Sequence, residues 1–163
     1  MPIRRAVRAV FVDESEAVFL MRIVEPSSKQ GWWITPGGAI DADESELEAL
    51  AREIMEELGL DLSELGSPRA VWRRRVQFSW ADQPIDQEET FYLVRCTRFG
   101  PPRCEDGDGA DAYYVGEPRW WSVADLQTTS DNVAPADLAT LLARQMRSDI
   151  PVDPIDISVE RAM

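Results

Sequence analysis

The sequence predicts one α/β domain, a sandwich in which helices flank a mixed sheet. Segments with strand-like alternation occur on both sides of a long amphipathic helix, and a second helical segment follows near the C-terminal end. The chain has 163 residues, 44% of them hydrophobic, which suits a single core of ordinary domain size. We expect the domain to cover residues 1–147 and a C-terminal tail to cover residues 148–163.

The strands are predicted from alternating polarity between turn-forming segments. They are expected at residues 4–12, 17–24, 32–35, 70–80, 90–97 and 119–123. The pair at 70–80 and 90–97 is expected to be antiparallel and joined by the polar segment 81–89. Residues 98–114 are rich in Gly, Pro and Asp and are expected to form a loop. A turn of helix is expected near Ala124, and a second helix at residues 135–147.

The first helix is predicted at residues 45–58. Its apolar residues recur at spacings of three and four and are expected to face the core: Leu47, Leu50, Ala51, Ile54 and Leu58. Ser45 with Glu48 offers a capping box, and Asp43 with Glu46 is a rival frame. Gly59 is suited to the position just past the helix end.

The same helix carries three carboxylates on one arc beside its apolar stripe, Glu53, Glu56 and Glu57. A solvated helix face explains part of this pattern, since Arg52 can pair with Glu48 or Glu56. Glu53 and Glu57, however, are like charges four residues apart near the negative end of the helix dipole. A bound divalent cation would make both interactions favourable.

Composition excludes several classes of function. Histidine is absent and the two cysteines, Cys96 and Cys104, lack metal-ligand spacing. Zinc sites, Ser-His-Asp triads and Cys-His dyads are therefore excluded in their standard forms, which leaves acid–base chemistry to carboxylates, lysine or tyrosine. The net charge of −13 argues against binding to duplex nucleic acid or anionic membranes and favours divalent cations. With no apolar span or signal peptide, the cytoplasm is the expected compartment.

The glycine before the helix stands at a recognisable distance from the carboxylates. Gly38 is followed after five residues by Glu44 and after seven more by REIMEELGL at 52–60. This spacing resembles the Nudix box, and every defined position is filled. The resemblance extends more loosely to WWITPGG at 32–38 and RWWSVADL at 119–126, so it covers most of residues 1–145. It implies a Nudix-type α/β/α sandwich with a central mixed sheet.

The resemblance also implies an activity, hydrolysis of a phosphoanhydride bond in a nucleoside diphosphate linked to another group X, with Mg²⁺ or Mn²⁺ as cofactor. On this view Glu56 and Glu57 are metal ligands, and Glu53 is a ligand or the base that deprotonates the attacking water. Arg52 would orient Glu53, and Glu44 would pair with Arg52 to hold the loop. Metal ions suit this reaction because they neutralise the diphosphate and acidify water.

Further metal ligands are expected outside the helix. Gly38 or its neighbour would contribute a backbone oxygen, because glycine lets the backbone approach a metal closely. The family pattern also implies a carboxylate outside the box, for which Glu88 and Glu89 are the candidates and Glu89 is preferred. The alternative is that both belong to a polar turn between strands.

The substrate-binding residues are predicted from strand alternation. Arg73, Arg75 and Gln77 share one face of a strand, and in so acidic a chain we expect Arg73 and Arg75 to contact substrate phosphates. The alternative is an exposed, salt-bridged strand face. Trp33 is a candidate for stacking a base, the alternative being an ordinary core tryptophan.

A small nucleotide is the expected partner, with a nucleoside triphosphate, oxidised or non-standard, as the leading substrate. Sequence markers of ADP-ribose, NADH and coenzyme A substrates are absent. The alternative function is a catalytically silent Nudix-fold module that binds nucleotides or regulates another protein. The base, the X group, the number of metal ions and the oligomeric state, a homodimer included, are left open.

Overall fold

The computed structural model describes residues 2–100, 114–147 and 153–158. The strands are β1 (Ile3–Val12), β2 (Val18–Val24), β3 (Gly31–Ile34), β4 (Gly37–Ala39), β5 (Arg69–Trp80), β6 (Gln83–Arg95), β7 (Arg119–Trp121), β8 (Asn132–Ala134) and β9 (Ile155–Asp156). The helices are α1 (Glu46–Leu58), α2 (Leu62–Leu65), α3 (Val123–Thr128) and α4 (Leu138–Arg147). No helix within these ranges is long and apolar enough to cross a lipid bilayer.

The sheet is mixed, as predicted. Its strands follow the order β8-β3-β2-β1-β6-β5-β9, while β4 pairs with β1 and β7 pairs with β2. The central pair, β1 and β6, is parallel, and the hairpin of β5 and β6 is antiparallel. The strand β9 lies within the predicted tail and adds to the edge of β5.

Helices cover both faces of the sheet, and β1 supplies side chains to both cores. Val7, Ala9 and Phe11 pack in a cluster with residues of α1, whereas Val10 and Val12 pack in a cluster with residues of α4. This alternation follows from the two-residue period of a strand. The expected α/β/α sandwich is confirmed.

The predicted first helix is α1, and its ends follow local capping chemistry. The Ser45 side chain accepts from the Glu48 amide and the Glu48 side chain accepts from the Ser45 amide, which completes the capping box. Gly59 ends the helix in the left-handed conformation, with φ of 65°. Both predicted caps are confirmed.

The predicted core face of α1 is partly wrong. Leu47 is 48% exposed and Ala51 is also exposed, while Leu50, Ile54 and Leu58 are buried as expected. The buried arc instead includes Ala49 and two of the glutamates, Glu53 and Glu57. Its centre is rotated by roughly 60° from the predicted one, at 100° per residue. The rotation turns these two carboxyl groups inward.

Other differences concern short or polar elements. The segment 81–89 is not a polar connection, because β6 already begins at Gln83 and only Ala81 and Asp82, both at positive φ, form the turn. The strands β4 and β8 and the helix α2 were not predicted, and α4 begins at Leu138 rather than at residue 135. Most of the predicted loop at 98–114, with Cys104, lies outside the described residues.

Candidate active site

A cavity of about 380 Å³ lies against the sheet face formed by β1, β5 and β6 and is bordered by β4 and α1. This face has two parts that differ in polarity. In one part Arg74 lies opposite Glu89, and in the other Phe78 lies opposite Ile85. We call the first part, with Arg8, Arg74, Glu53, Glu57 and Glu89, the charged end, and the part with Phe78, Trp80 and Ile85 the apolar end.

Arg52 ties the segment before α1 to the helix. Its Nε and Nη2 atoms donate to the two carboxylate oxygens of Glu44, at 2.6 and 2.8 Å. Nη2 also donates to the carbonyl oxygen of Ala39, and Nη1 donates to Glu53 Oε1 at 3.0 Å. The hydrogen bonds from Arg52 lower the pKa of Glu44 to about 2. One guanidinium thus fixes the loop and orients Glu53.

Glu53 and Glu57 are the buried carboxyl groups of α1. Burial raises the pKa of Glu53, and it raises the pKa of Glu57 to about 8. Glu57 Oε2 accepts from the Gly37 amide at 3.1 Å, and its Oε1 accepts from the Tyr114 hydroxyl at 2.6 Å. A Cβ atom on Gly38 would come within 2.6 Å of the Glu53 carboxyl group, so a larger residue there would displace that carboxyl group.

The donors at the charged end suit a hard divalent cation. Glu53 and Glu57 offer only oxygen, and both have lost hydration that a cation could replace. Glu56 is different, since its side chain is 52% exposed and pairs with Arg52 at 3.3 Å. Within the described ranges, no three acidic or cysteine side chains stand together in a metal-coordinating group.

Glu89 rather than Glu88 reaches the cavity. Glu89 is 4% exposed, and its carboxylate pairs with Arg74 at 2.5 Å and with Arg8 at 3.2 Å. Burial alone would raise the pKa of Glu89, but the charges of Arg8 and Arg74 outweigh it and hold that pKa low. Glu88 is exposed on the opposite face of β6.

Comparison with known proteins identifies the family. A family model described as the NUDIX domain matches residues 2–142. The chain belongs to the Nudix family. The loop and helix that hold Gly38, Glu44 and residues 52–60 are therefore its Nudix box.

Individual proteins are similar to the chain in part of the sequence or in fold. Over 48 residues the chain is 46% identical to a protein of Mycobacterium tuberculosis provisionally named 8-oxo-dGTP diphosphatase 2, and this match spans 29% of the chain and 34% of that relative. The fold is similar to that of the MutT protein from Methanosarcina mazei Go1, with a TM-score of 0.64 and 20% identity over 90% of this chain and 97% of that one. It is also similar to an Ap4A hydrolase from C. elegans, with a TM-score of 0.62 and 16% identity over 88% of this chain and 96% of that one.

Three predicted substrate residues of this Nudix protein lie away from the cavity. Arg73 and Arg75 are exposed on the other face of β5, where Arg75 pairs with Asp86 at 2.7 Å. Trp33 packs edge-on against Trp121, with 5.1 Å between ring centroids. None of the three lines the cavity: Arg75 is salt-bridged on the exposed strand face, and Trp33 is partly buried against the core.

Sequence reasoning did not assign Arg74 or Tyr114 to the site, and it noted Arg8 only within a weaker arginine cluster with Arg4 and Arg5. All three line the cavity of this Nudix protein. Alternation did place Arg74 on the strand face opposite Arg73 and Arg75, but a buried arginine needs a partner, and Glu89 is 15 residues away in sequence. Tyr114 stands beside the undescribed segment 101–113 and gave no pattern of its own. The strand pairing, rather than a local motif, brings these side chains to the box.

Proposed function

We propose that this Nudix protein is a metal-dependent hydrolase that cleaves a phosphoanhydride bond in a nucleoside diphosphate linked to another group X. The observation that carries the proposal is the Arg52–Glu44 pair, which holds Glu53 beside Glu57 at the charged end of the cavity. The leading substrate is a nucleoside triphosphate, oxidised or non-standard. The name of the mycobacterial relative, an 8-oxo-dGTP diphosphatase, agrees with this choice.

The cofactor we propose is Mg²⁺ or Mn²⁺. The residues that would hold it are Glu53, Glu56 and Glu57, with the Gly38 carbonyl oxygen and Glu89 as further ligands. When bound, such a cation neutralises diphosphate charge and acidifies the attacking water.

Glu53 is the residue to which we assign the proton of the attacking water. Arg52 binds its Oε1 atom, so Oε2 is the oxygen that would take the proton. Burial raises the pKa of Glu53, which makes its carboxylate a stronger base. As the water oxygen bonds to phosphorus, the phosphorus–oxygen bond of the anhydride breaks and the electron pair leaves with the departing phosphate.

The rest of the cavity suits the other parts of a nucleotide. Arg8 and Arg74 add positive charge beside the phosphates, although both also pair with Glu89. Phe78 and Trp80 at the apolar end offer aromatic surface for a base. Ile85 and Glu89 are four residues apart on β6, or about 13 Å along the strand. That span suits an extended nucleotide with its base at one end and its phosphates at the other.

The proposal is tested by measuring phosphate and pyrophosphate release from a nucleotide panel, 8-oxo-dGTP included, with Mg²⁺ or Mn²⁺. We expect Glu57→Gln to lower kcat by about 100-fold, since loss of a metal ligand removes charge that the transition state needs. Glu64→Gln, at an exposed glutamate of α2, is the matched control and should keep full activity. Equal activity in wild type and Glu57→Gln would remove Glu57 from the mechanism. Tight nucleotide binding with no turnover would favour the silent module instead.

A further inference from the structure

Gln87 is a buried amide on the cavity face of β6. It is 1% exposed and lines the cavity together with Ile85 and Glu89 on either side of it along the strand. The backbone there is held on both sides, because Gln87 is paired with Arg4 of β1 and Val76 of β5. The side chain therefore lies at a defined place, between the apolar end and the charged end of the cavity.

The hydrogen bond to Glu89 sets the orientation of the Gln87 amide. Gln87 Nε2 donates to Glu89 Oε1 at 2.8 Å. Glu89 is paired with both Arg8 and Arg74, so its carboxylate is ionised and can only accept hydrogen bonds. The amide nitrogen must face Glu89, and the other terminal atom of Gln87 is an oxygen, an acceptor only.

That oxygen, Gln87 Oε1, is buried and is unpaired among the residues that the structure describes. Buried polar groups are nearly always hydrogen-bonded, because an unpaired one has lost its hydration without replacement. Trp121 Nε1 and Gln145 Nε2 share this state, but neither residue lines the cavity. Among the described residues, Gln87 is therefore the cavity-lining residue with an unpaired buried polar atom.

The surroundings of Gln87 indicate what kind of donor would reach it. Phe78 and Trp80 lie on the neighbouring strand at the apolar end, and Phe78 is opposite Ile85, two residues from Gln87. A flat ring stacked on this aromatic surface would have one edge toward the amide. Since Oε1 is recessed, a donor that projects from the ring edge reaches it more easily than a donor within the ring.

We infer that Gln87 is a specificity-determining residue, whose Oε1 accepts a hydrogen bond from an exocyclic amino group of the bound nucleobase. The inference rests on the proposed function in taking the ligand to be a nucleotide. It predicts preference for bases that carry such a group, adenine, guanine or cytosine, over those that lack it. The oxidised base 8-oxoguanine keeps its amino group and stays within this class.

The test measures binding, so that it does not depend on turnover. Dissociation constants are determined by calorimetry for α,β-imido deoxynucleoside triphosphates in three pairs, each base with the analogue that lacks only the amino group. These are adenine with purine, guanine with hypoxanthine, and cytosine with pyrimidin-2-one. For the base that fits, loss of the amino group should weaken binding to the wild type by about three- to tenfold. In Gln87→Met, which has no amide, the two members of that pair should bind equally.

Gln145→Met is the matched control, because Gln145 also has an unpaired buried amide atom but lies on α4. It should keep the wild-type preference. An amino-group effect that is the same in wild type and Gln87→Met would overturn the inference. If Gln87→Met does not fold, the wild-type measurements still test the inference. The absence of an amino-group effect in all three pairs would also overturn the inference. Hydrolysis without an amino-group effect would overturn the inference and leave the proposed function standing. Amino-dependent binding without hydrolysis would support the inference and contradict the proposed function.

Discussion

The hydroxyl of Tyr114 donates to Glu57 Oε1 across 2.6 Å, at the edge of the cavity. Burial is the largest influence on Glu57 and raises its pKa to about 8, while the hydrogen bond from Tyr114 acts in the opposite direction. Tyr114 lies outside the Nudix box, 57 residues from Glu57 in the sequence. It nevertheless helps to set the charge of this predicted metal ligand.

Replacing Tyr114 by phenylalanine should raise the pKa of Glu57 further. A proton and a divalent cation compete for the same carboxylate, so a higher pKa weakens cation binding near neutral pH. We expect the pH dependence of Mn²⁺ affinity to move toward higher pH by about one unit, the usual size for a hydrogen bond to a charged group. Titration with Mn²⁺ followed by electron paramagnetic resonance between pH 6 and 9 measures this, with or without substrate.

Tyr92→Phe is the control for that experiment. Tyr92 also donates to a carboxylate at 2.6 Å, but its partner is Glu46, which is not in the cavity lining. The control should leave Mn²⁺ binding unchanged. If Tyr114→Phe also leaves it unchanged, the hydroxyl does not control Glu57.

Gly38→Ala should abolish most activity with little loss of stability. The added Cβ would lie 2.6 Å from the carboxyl group of Glu53, a flexible side chain that can move away. The displaced carboxylate would leave its hydrogen bond with Arg52, and we expect kcat to fall by about 10- to 100-fold. Melting temperature and kcat, measured on the same preparation, separate the two effects.

Gly100 offers a matched control, since a Cβ there would meet no atom of the described residues within 4 Å. Gly100→Ala should keep both activity and stability. Full activity in Gly38→Ala would show that the position of Glu53 is not critical.

Arg75→Ala should leave KM and kcat within about twofold of the wild type, because Arg75 pairs with Asp86 on the face of β5 away from the cavity. Arg74→Met should behave differently. It leaves Glu89 buried with one cationic partner fewer, so we expect a loss of about 3 kcal/mol in unfolding free energy and a raised KM. Steady-state kinetics and urea unfolding measure these quantities. A raised KM for Arg75→Ala would restore the original expectation that Arg75 contacts phosphate.

Glu25 should stabilise the fold at neutral pH but not in acid. Its carboxylate accepts from the backbone amides of Ser28, at 2.6 Å, and Ala81, at 2.7 Å, and the hydrogen bond from Ser28 is the main cause that lowers its pKa to about 2. A lowered pKa in the folded state means that the stabilisation is present above the unfolded value of about 4.5 and is lost as the pH falls toward 2.

Glu25→Gln should therefore lower the melting temperature at pH 7, and the difference from wild type should shrink between pH 4.5 and 2. Glu117→Gln, at an exposed position, is the control and should match the wild type throughout. A difference that stays constant with pH would mean that the charge of Glu25 does not matter.

The elements that the sequence predicted best are those that depend on near neighbours. The capping box of Ser45 and Glu48 and the C-terminal Gly59 are contacts within a few residues, so their spacing is visible in the chain. The strand β6 was shortened in the prediction because its polar residues look like a turn. Gln87 and Glu89 are polar because they line a cavity, which becomes visible only when β1 and β5 lie beside them.

The sequence by itself determined the Nudix box, because one helix and the loop before it contain its residues, and the resemblance to the family implied the pairing of Glu44 with Arg52. It also determined that Arg74 lies on one face of a strand and Arg73 and Arg75 on the other. Which face meets the box was decided only by the tertiary structure. Alternation along a strand produces two faces, but their assignment depends on long-range pairing between strands and on the packing of α1. That packing turned Glu53 and Glu57 inward, and strand pairing brought Arg74, Gln87 and Glu89 to the lining of the same cavity.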